Sequence, residues 1–278
     1  LFSLHVNCSQ ILARRLPWNH EIQDNKLFRR RAHRLLSILA DFLNILPEEL
    51  AIHGVVLLSD RPVKFGGFAD IYHGQYTNSE GVKVEVALKV LRAFQDQSYG
   101  NRNLLLQKFA KEALVWRYLK HRNIVPFLGI DATTFPTPAM ALVSHWMSQG
   151  NILNYMAENS PVFRYAISLL NDVIQGLVYL HSQNVVHGDL CGRNILIDGQ
   201  RAYLTDFGLA AFVELDTSIK TSTRKGSTRW MAPELLLPNV YHPGLPFRQT
   251  PASDVWAFGC VCCEVRLFAS FMFHNDFC

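Results

Sequence analysis

The sequence predicts an α+β protein of two lobes, a β-rich half followed by a helix-rich half. Between Val55 and Leu91, the runs VVLLSD, ADIYHGQY and VKVEVALKVL are short and rich in β-branched and aromatic residues. Gly and polar turns such as NSEG at 78–81 separate them. After Gly150 the apolar spacing turns helical, notably over Tyr165–His181 and Val255–Val265. The change of character falls near residues 145–150, where the lobes are expected to join. This gives a main domain over 51–278, with a smaller lobe at about 51–147 and a larger one at about 148–278. A helical extension over 1–50 precedes it.

Composition supports a folded chain. Of 278 residues, 49% are hydrophobic and 18% charged, too apolar and too weakly charged for a disordered protein. The formal charge of +4 is mild, and the basic cluster Lys26, Arg29, Arg30, Arg31 and Arg34 is interleaved with Leu27, Phe28, Leu35 and Leu36. That spacing reads as a solvated helix face, so no nucleic-acid partner is expected. The six cysteines lack the paired spacing of a zinc site or a disulfide framework, which points to reduced thiols and a cytoplasmic location. No apolar run approaches the roughly 20 residues of a membrane span. The opening LFSLHVNCSQILARRL has neither an initiator Met nor a secretory layout, so a fragment is expected.

Taken in order, residues 26–46 place Leu27, Leu35, Leu36, Leu39, Phe42, Leu43 and Leu46 at near-helical spacing, and Pro47 stops the run. The β-rich runs follow, then a helical stretch from about Leu104 to Leu119, then the apolar runs IVPFLGI and MALVSHWM. Farther on, Asn194-Ile195-Leu196-Ile197 and Ala202-Tyr203-Leu204-Thr205 fit the arms of a β-hairpin with Asp198-Gly199 at its turn. No repeat or low-complexity tract interrupts the pattern.

The chemistry concentrates in a few short motifs. His187-Gly188-Asp189-Leu190-Cys191-Gly192-Arg193-Asn194 is followed by Asp206-Phe207-Gly208 and by Ala232-Pro233-Glu234, with Val86-Ala87-Leu88-Lys89 upstream. Any one is weak alone; their order is the signal. On these residues the chain from about Val55 to Val265 resembles a eukaryotic protein kinase. It is most similar to the tyrosine-kinase-like group in HRNIVPFLG at 121–129 and GSTRWMAPE at 226–234.

The resemblance implies ATP and Mg²⁺ as cofactors, a protein substrate, and transfer of the γ-phosphate to Ser/Thr hydroxyls, or to Tyr. Such transfer needs positioning and charge neutralisation more than covalent chemistry. The family pattern makes Lys89 the holder of the α- and β-phosphates and Glu112 its ion-pair partner, the alternative being a plain surface pair. It makes Asp189 the acceptor of the substrate proton and Asn194 and Asp206 the Mg²⁺ ligands, hard oxygens that suit that ion. Arg193 completes the implied catalytic set. Ala87 and Leu196 match the residues that sandwich the adenine, with Ile71 beside them. Ser144 matches the back of the pocket, and His145-Trp146-Met147 the hinge. His187 and Phe207 match an internal hydrophobic column, and Asp254 the aspartate that braces the catalytic loop.

Several positions depart from the family. At the three glycine positions of the phosphate loop stand Lys64, Gly66 and Ala69; Gly66-Gly67 retains some turn freedom, and Lys64 offers charge where glycine is lost. Gly188 replaces the Arg that pairs with a phosphorylated activation loop. Activity is therefore expected to depend little on Thr217, Ser218, Thr221, Ser222 and Thr223. Cys191 stands where Ser/Thr kinases carry Lys, and Arg193 follows the tyrosine-kinase pattern, whereas Ser227 fits a Ser/Thr-type pocket. After Val265 the tail Arg266–Cys278 does not resemble the family's closing helices. Glu234 is thus expected to lack its Arg partner and to be solvated or neutralised, and apolar surface near Trp256 and Phe258 to be uncovered. A pseudokinase, a nucleotide-binding or scaffolding module without useful turnover, is the alternative reading.

Overall fold

In the computed structural model the described residues are 50–65, 69–78, 80–91, 109, 112–136, 139–159, 163–207, 228–241 and 249–273, the side chains of 163 and 267–273 excepted. The predicted extension over 1–50 lies outside them except for Leu50, as do Gly66, Gly67 and the segment 208–227.

The smaller lobe is a six-stranded antiparallel sheet. Its strands are β1 (Val56–Leu57), β2 (Lys64–Phe65), β3 (Ala69–Thr77), β4 (Lys83–Leu91), β5 (Phe127–Asp131) and β6 (Ala141–His145). The order is β1-β3-β4-β6-β5, with β2 also pairing β3. Strands β3 and β4 pair over nine residues because the NSEG turn closes between them. There the Asn78 side chain accepts from the backbone N–H groups of Glu80 and Val82.

Residues opposite each other across an antiparallel pair share a face. Ile71, His73, Ala87, Lys89, Ser144 and Leu142 thereby lie on one face, and Leu88, Val90, Val86 and Val143 on the other. Helix α1 (112–118) packs on the sheet through the buried Ala113 and Trp116, with Phe109 ahead of it. Of the helix expected from about Leu104 to Leu119, Phe109 and residues 112–118 are helical, and residues 104–108, 110 and 111 lie outside the description.

The segment before β1 covers the edge of β5. Ile52 N–H donates to the Ile130 carbonyl at 2.9 Å, and Ala51 bridges Ile130. This close approach requires Gly129, because a Cβ there would stand 2.7 Å from the Leu50 carbonyl oxygen and 3.2 Å from the Ile52 side chain. Gly129→Ala is expected to cost about 1–3 kcal/mol through this overpacking. Urea denaturation checks it, and an unchanged midpoint would show that the edge segment yields freely.

The larger lobe is built on α2 (Ile152–Asn159), α3 (Phe163–Ser182) and the strands β7 (Ile195–Asp198) and β8 (Arg201–Leu204), followed by the short helices α4 (Pro233–Leu236) and α5 (Pro238–Tyr241) and the long α6 (Pro251–Phe273). Leu169, Val173, Leu177 and Leu180 of α3 recur at helical spacing and are buried. The hairpin forms as expected, with one correction. Asp198 is the last residue of β7 and pairs Arg201, so the two-residue loop is Gly199-Gln200 and not Asp198-Gly199. Gly199 takes a φ of +59°, which suits glycine at a tight hairpin turn.

Helix α6 starts by reciprocal capping. Thr250 N–H donates to Ser253 Oγ, Ser253 N–H donates to Thr250 Oγ1, and Pro251 opens the helix. It also runs past Val265 to Phe273, farther than the expected segment, because no Gly or Pro interrupts the chain there. Val255 and Trp256 are 62% and 48% exposed, so apolar surface is uncovered at Trp256 as expected, whereas Phe258 is half-buried against the core and not uncovered. Glu234 is half-buried in α4.

Candidate active site

Two clusters meet where the lobes face each other. The first joins β4, α1 and the segment after β8. Lys89 Nζ donates to Glu112 Oε1 at 3.1 Å and to Asp206 Oδ1 at 2.7 Å. Lys89 and Glu112 are buried, so both charges have left water and depend on each other. Burial alone would strip the proton from Lys89, but the Asp206 and Glu112 carboxylates outweigh it and push its pKa well up. Burial lifts the Glu112 pKa, aided by Asp206 and opposed by Lys89. For Asp206 burial pushes upward too. The Lys89 ammonium, with help from Lys64, more than offsets it and holds the carboxyl below its usual value. Lys89 is thus a fixed cation and Asp206 a fixed anion. Asp206 also has a φ of +59°, uncommon for a residue with a Cβ and a mark of strain held in place by its surroundings.

The second cluster is the loop from His187 to Asn194. The Asn194 amide nitrogen donates to the Asp189 carbonyl at 2.7 Å and to Asp189 Oδ2 at 3.1 Å. This turns the amide nitrogen toward Asp189 and leaves the amide oxygen as the remaining acceptor. Thr205 N–H donates to the Asn194 carbonyl, so the loop is tied to the residue before Asp206. The oxygens of Asn194 and Asp206, one amide and one carboxylate kept ionised, are hard donors on adjoining segments and fit a divalent cation such as Mg²⁺.

The loop is held from behind by Asp254, which is 1% exposed. Its carboxylate accepts from His187 N–H and Gly188 N–H, each at 2.8 Å, and pairs with His181 Nε2 at 2.8 Å. Three contacts escaped the sequence reading. Gln249 donates its side-chain amide to the Gly188 carbonyl, Glu264 accepts from Gly192 N–H at 3.0 Å, and Arg193 stacks over the Trp230 ring at 5.6 Å. Trp230 stood within the GSTRWMAPE run already singled out; Gln249 and Glu264 carry no local motif that announces them.

Gly188 has a φ of +77°, a backbone conformation that suits glycine. His187 is fully buried and packs edge-on to Phe207, which packs edge-on to Trp116. These contacts form the expected internal column and add Trp116 to it.

Burial pushes the His187 pKa down, against the opposing carboxylates of Asp254, Asp189 and Asp206. The folded protein therefore holds this ring neutral, while the unfolded chain protonates it below about pH 6.5. In the interval below that value the unfolded state binds more protons. The stability from the neutral ring is complete above it and is lost as pH falls. Urea denaturation at pH 7.5 and 5.0 should show a smaller acid loss for His187→Phe than for the parent, and equal losses would contradict the assignment.

The remaining candidates line the face between the clusters. Ala87 lies opposite Ser144 across β4 and β6, and Ile71 lies opposite Lys89 across β3 and β4 on the same face, with Ser144 buried and Ile71 and Ala87 half-buried. Leu196 approaches from β7, half-buried and bridged to Asn151. His145 and Met147 span the connection between lobes, where Trp146 N–H donates to the Glu85 carbonyl and Gly150 N–H to the Met147 carbonyl.

The profile of the protein tyrosine and serine/threonine kinase family matches residues 58–274. The chain belongs to this family. Over 72% of its length the chain is 32% identical to the serine/threonine-protein kinase STY46 of Arabidopsis thaliana, and that stretch is 31% of the relative. It is 30% identical over 64% of its length to STY17 of the same plant, covering 29% of that relative. To the tyrosine-protein kinase Abl of Drosophila melanogaster it is 28% identical over 80% of its length, covering 13%. The kinase chain thus spans less than a third of these curated relatives. Among the described residues of this kinase domain, no helix is long and apolar enough to cross a membrane.

Proposed function

We propose that this kinase domain transfers the γ-phosphate of Mg²⁺-ATP to Ser or Thr hydroxyls of a protein, with the following division of labour. Lys89, fixed by Glu112, supplies the positive charge that binds the α- and β-phosphates. Asn194 and Asp206 hold Mg²⁺, which when bound neutralises phosphate charge. Asp189, oriented by Asn194, accepts the proton of the acceptor hydroxyl and aligns it for in-line attack. Ala87, Leu196 and Ile71 enclose the adenine, Ser144 closes the back of the pocket, and the backbone at His145 and Met147 recognises its edge. Gly66 and Gly67 belong to the phosphate loop of this reading.

The observation that carries the proposal is the buried Lys89–Glu112 pair joined to Asp206. A fold kept only as a scaffold has no use for a buried lysine and glutamate that depend on each other and on the half-buried Asp206, which favours turnover over the pseudokinase. Ser and Thr are favoured over Tyr by Ser227 and by the similarity to STY46 and STY17, both serine/threonine-protein kinases. Arg193, occupied by Trp230, supports the peptide platform beside Asp189 without touching the reacting atoms. The deciding test is transfer of labelled γ-phosphate to a protein mixture by the parent and by Asp189→Asn, followed by phosphoamino-acid analysis. Phosphoserine and phosphothreonine from the parent alone are expected; a folded parent without transfer would overturn the reading in favour of the pseudokinase.

A further inference from the structure

We propose that Lys64 is a second phosphate-binding cation of the cleft, contacting the polyphosphate of the nucleotide alongside Lys89; this rests on the nucleotide-binding reading above. The argument begins with register. Lys64 of β2 lies directly opposite Ile71 of β3, and Ile71 lies directly opposite Lys89 of β4. Directly opposed residues project to the same side, so the three form a row across the strands, with a lysine at each end and Ile71 between them. The far end of that row is the ammonium bound to Glu112 and Asp206.

The two lysines differ in one respect that matters for a ligand. Lys89 is buried, and its bonds to two carboxylates consume much of its donor capacity. Lys64 is exposed, and among the described residues its side chain makes no ion pair or hydrogen bond. A flexible, exposed cation on the face that carries Lys89 is suited to a mobile polyanion entering beside it.

A triphosphate carries several negative charges, and each added cation lowers the cost of gathering them in one cleft. The backbone of a loop needs glycine to approach phosphate closely, whereas a lysine four carbons long reaches it from a strand. Lys64 thus supplies by side chain what the loop after it supplies only in part by backbone.

The test is calorimetric binding of ATP, ADP and adenosine to the 278-residue chain and to Lys64→Met, Lys64→Arg and Lys89→Met. Lys64→Met is expected to weaken ATP about tenfold, the loss of one charge-assisted contact, and ADP by less. Adenosine should bind it as it binds the parent, and Lys64→Arg should retain most of the ATP affinity. Loss of adenosine affinity in Lys64→Met would mean that the substitution disturbs the pocket and would overturn the assignment. If Lys64→Met binds ATP like the parent while Lys89→Met does not, the inference falls and the nucleotide-binding reading stands. A folded parent that binds none of the three ligands overturns both.

Discussion

Asp189→Asn is expected to lower phosphoryl transfer by about 10²–10⁴-fold, the range of a positioned general base, while ATP affinity changes little. The replacement keeps the shape of the side chain and an oxygen acceptor for Asn194 Nδ2, which donates to Asp189 at both its carbonyl and Oδ2. What it removes is the basic carboxylate that receives the acceptor hydroxyl's proton. The loss should therefore appear in the turnover rate under saturating ATP. Single-turnover kinetics beside a binding isotherm separate the two quantities. Transfer surviving within tenfold of the parent would remove Asp189 from the proton-accepting role and leave it a purely structural member of the loop.

The second large effect is on stability. Asp254→Ala is expected to cost about 3–5 kcal/mol, because it leaves His187 N–H and Gly188 N–H without their acceptor and deprives His181 of its partner. Since Asp254 is 1% exposed, water cannot readily replace the missing carboxylate. For a domain of this size the midpoint temperature should fall by about 2–4 °C per kcal/mol. Asp254→Asn, which retains one acceptor, should lose less. A denaturation midpoint unmoved by Asp254→Ala would mean that Gln249 and Glu264 hold the loop on their own.

These expectations draw unequally on sequence and structure. The β-hairpin after Asn194 was legible because its signals are local: alternating apolar residues on both arms and glycine at the turn. Even there the loop proved to be Gly199-Gln200, one residue later than read, because pairing register is set between strands and not within one. Helix α6 was legible only as far as Val265, although it continues to Phe273.

The identities of Lys89, Glu112, Asp189, Asn194 and Asp206 were readable as a motif set. Their convergence was not, since Lys89 and Asp206 are 117 residues apart and meet only when β4 faces the end of β8. Gln249, Glu264 and Trp230 show the opposite case. Gln249 and Glu264 sit in segments with no announcing motif, and all three act through single contacts whose partners are chosen by packing.

By itself, then, the sequence determined the two-lobe class and the hairpin, which follow from residue type and short spacing, and the candidate chemistry, which the resemblance of its motifs to the kinase family implies. Tertiary structure alone decided that Lys64 shares a face with Lys89, that Gln249 and Glu264 hold the loop beside the expected Asp254, and that Arg193 is held on Trp230. The physical reason is range. Periodicity and turn chemistry act over a few residues, whereas a buried charge finds its partner through strand register and helix packing across the whole chain.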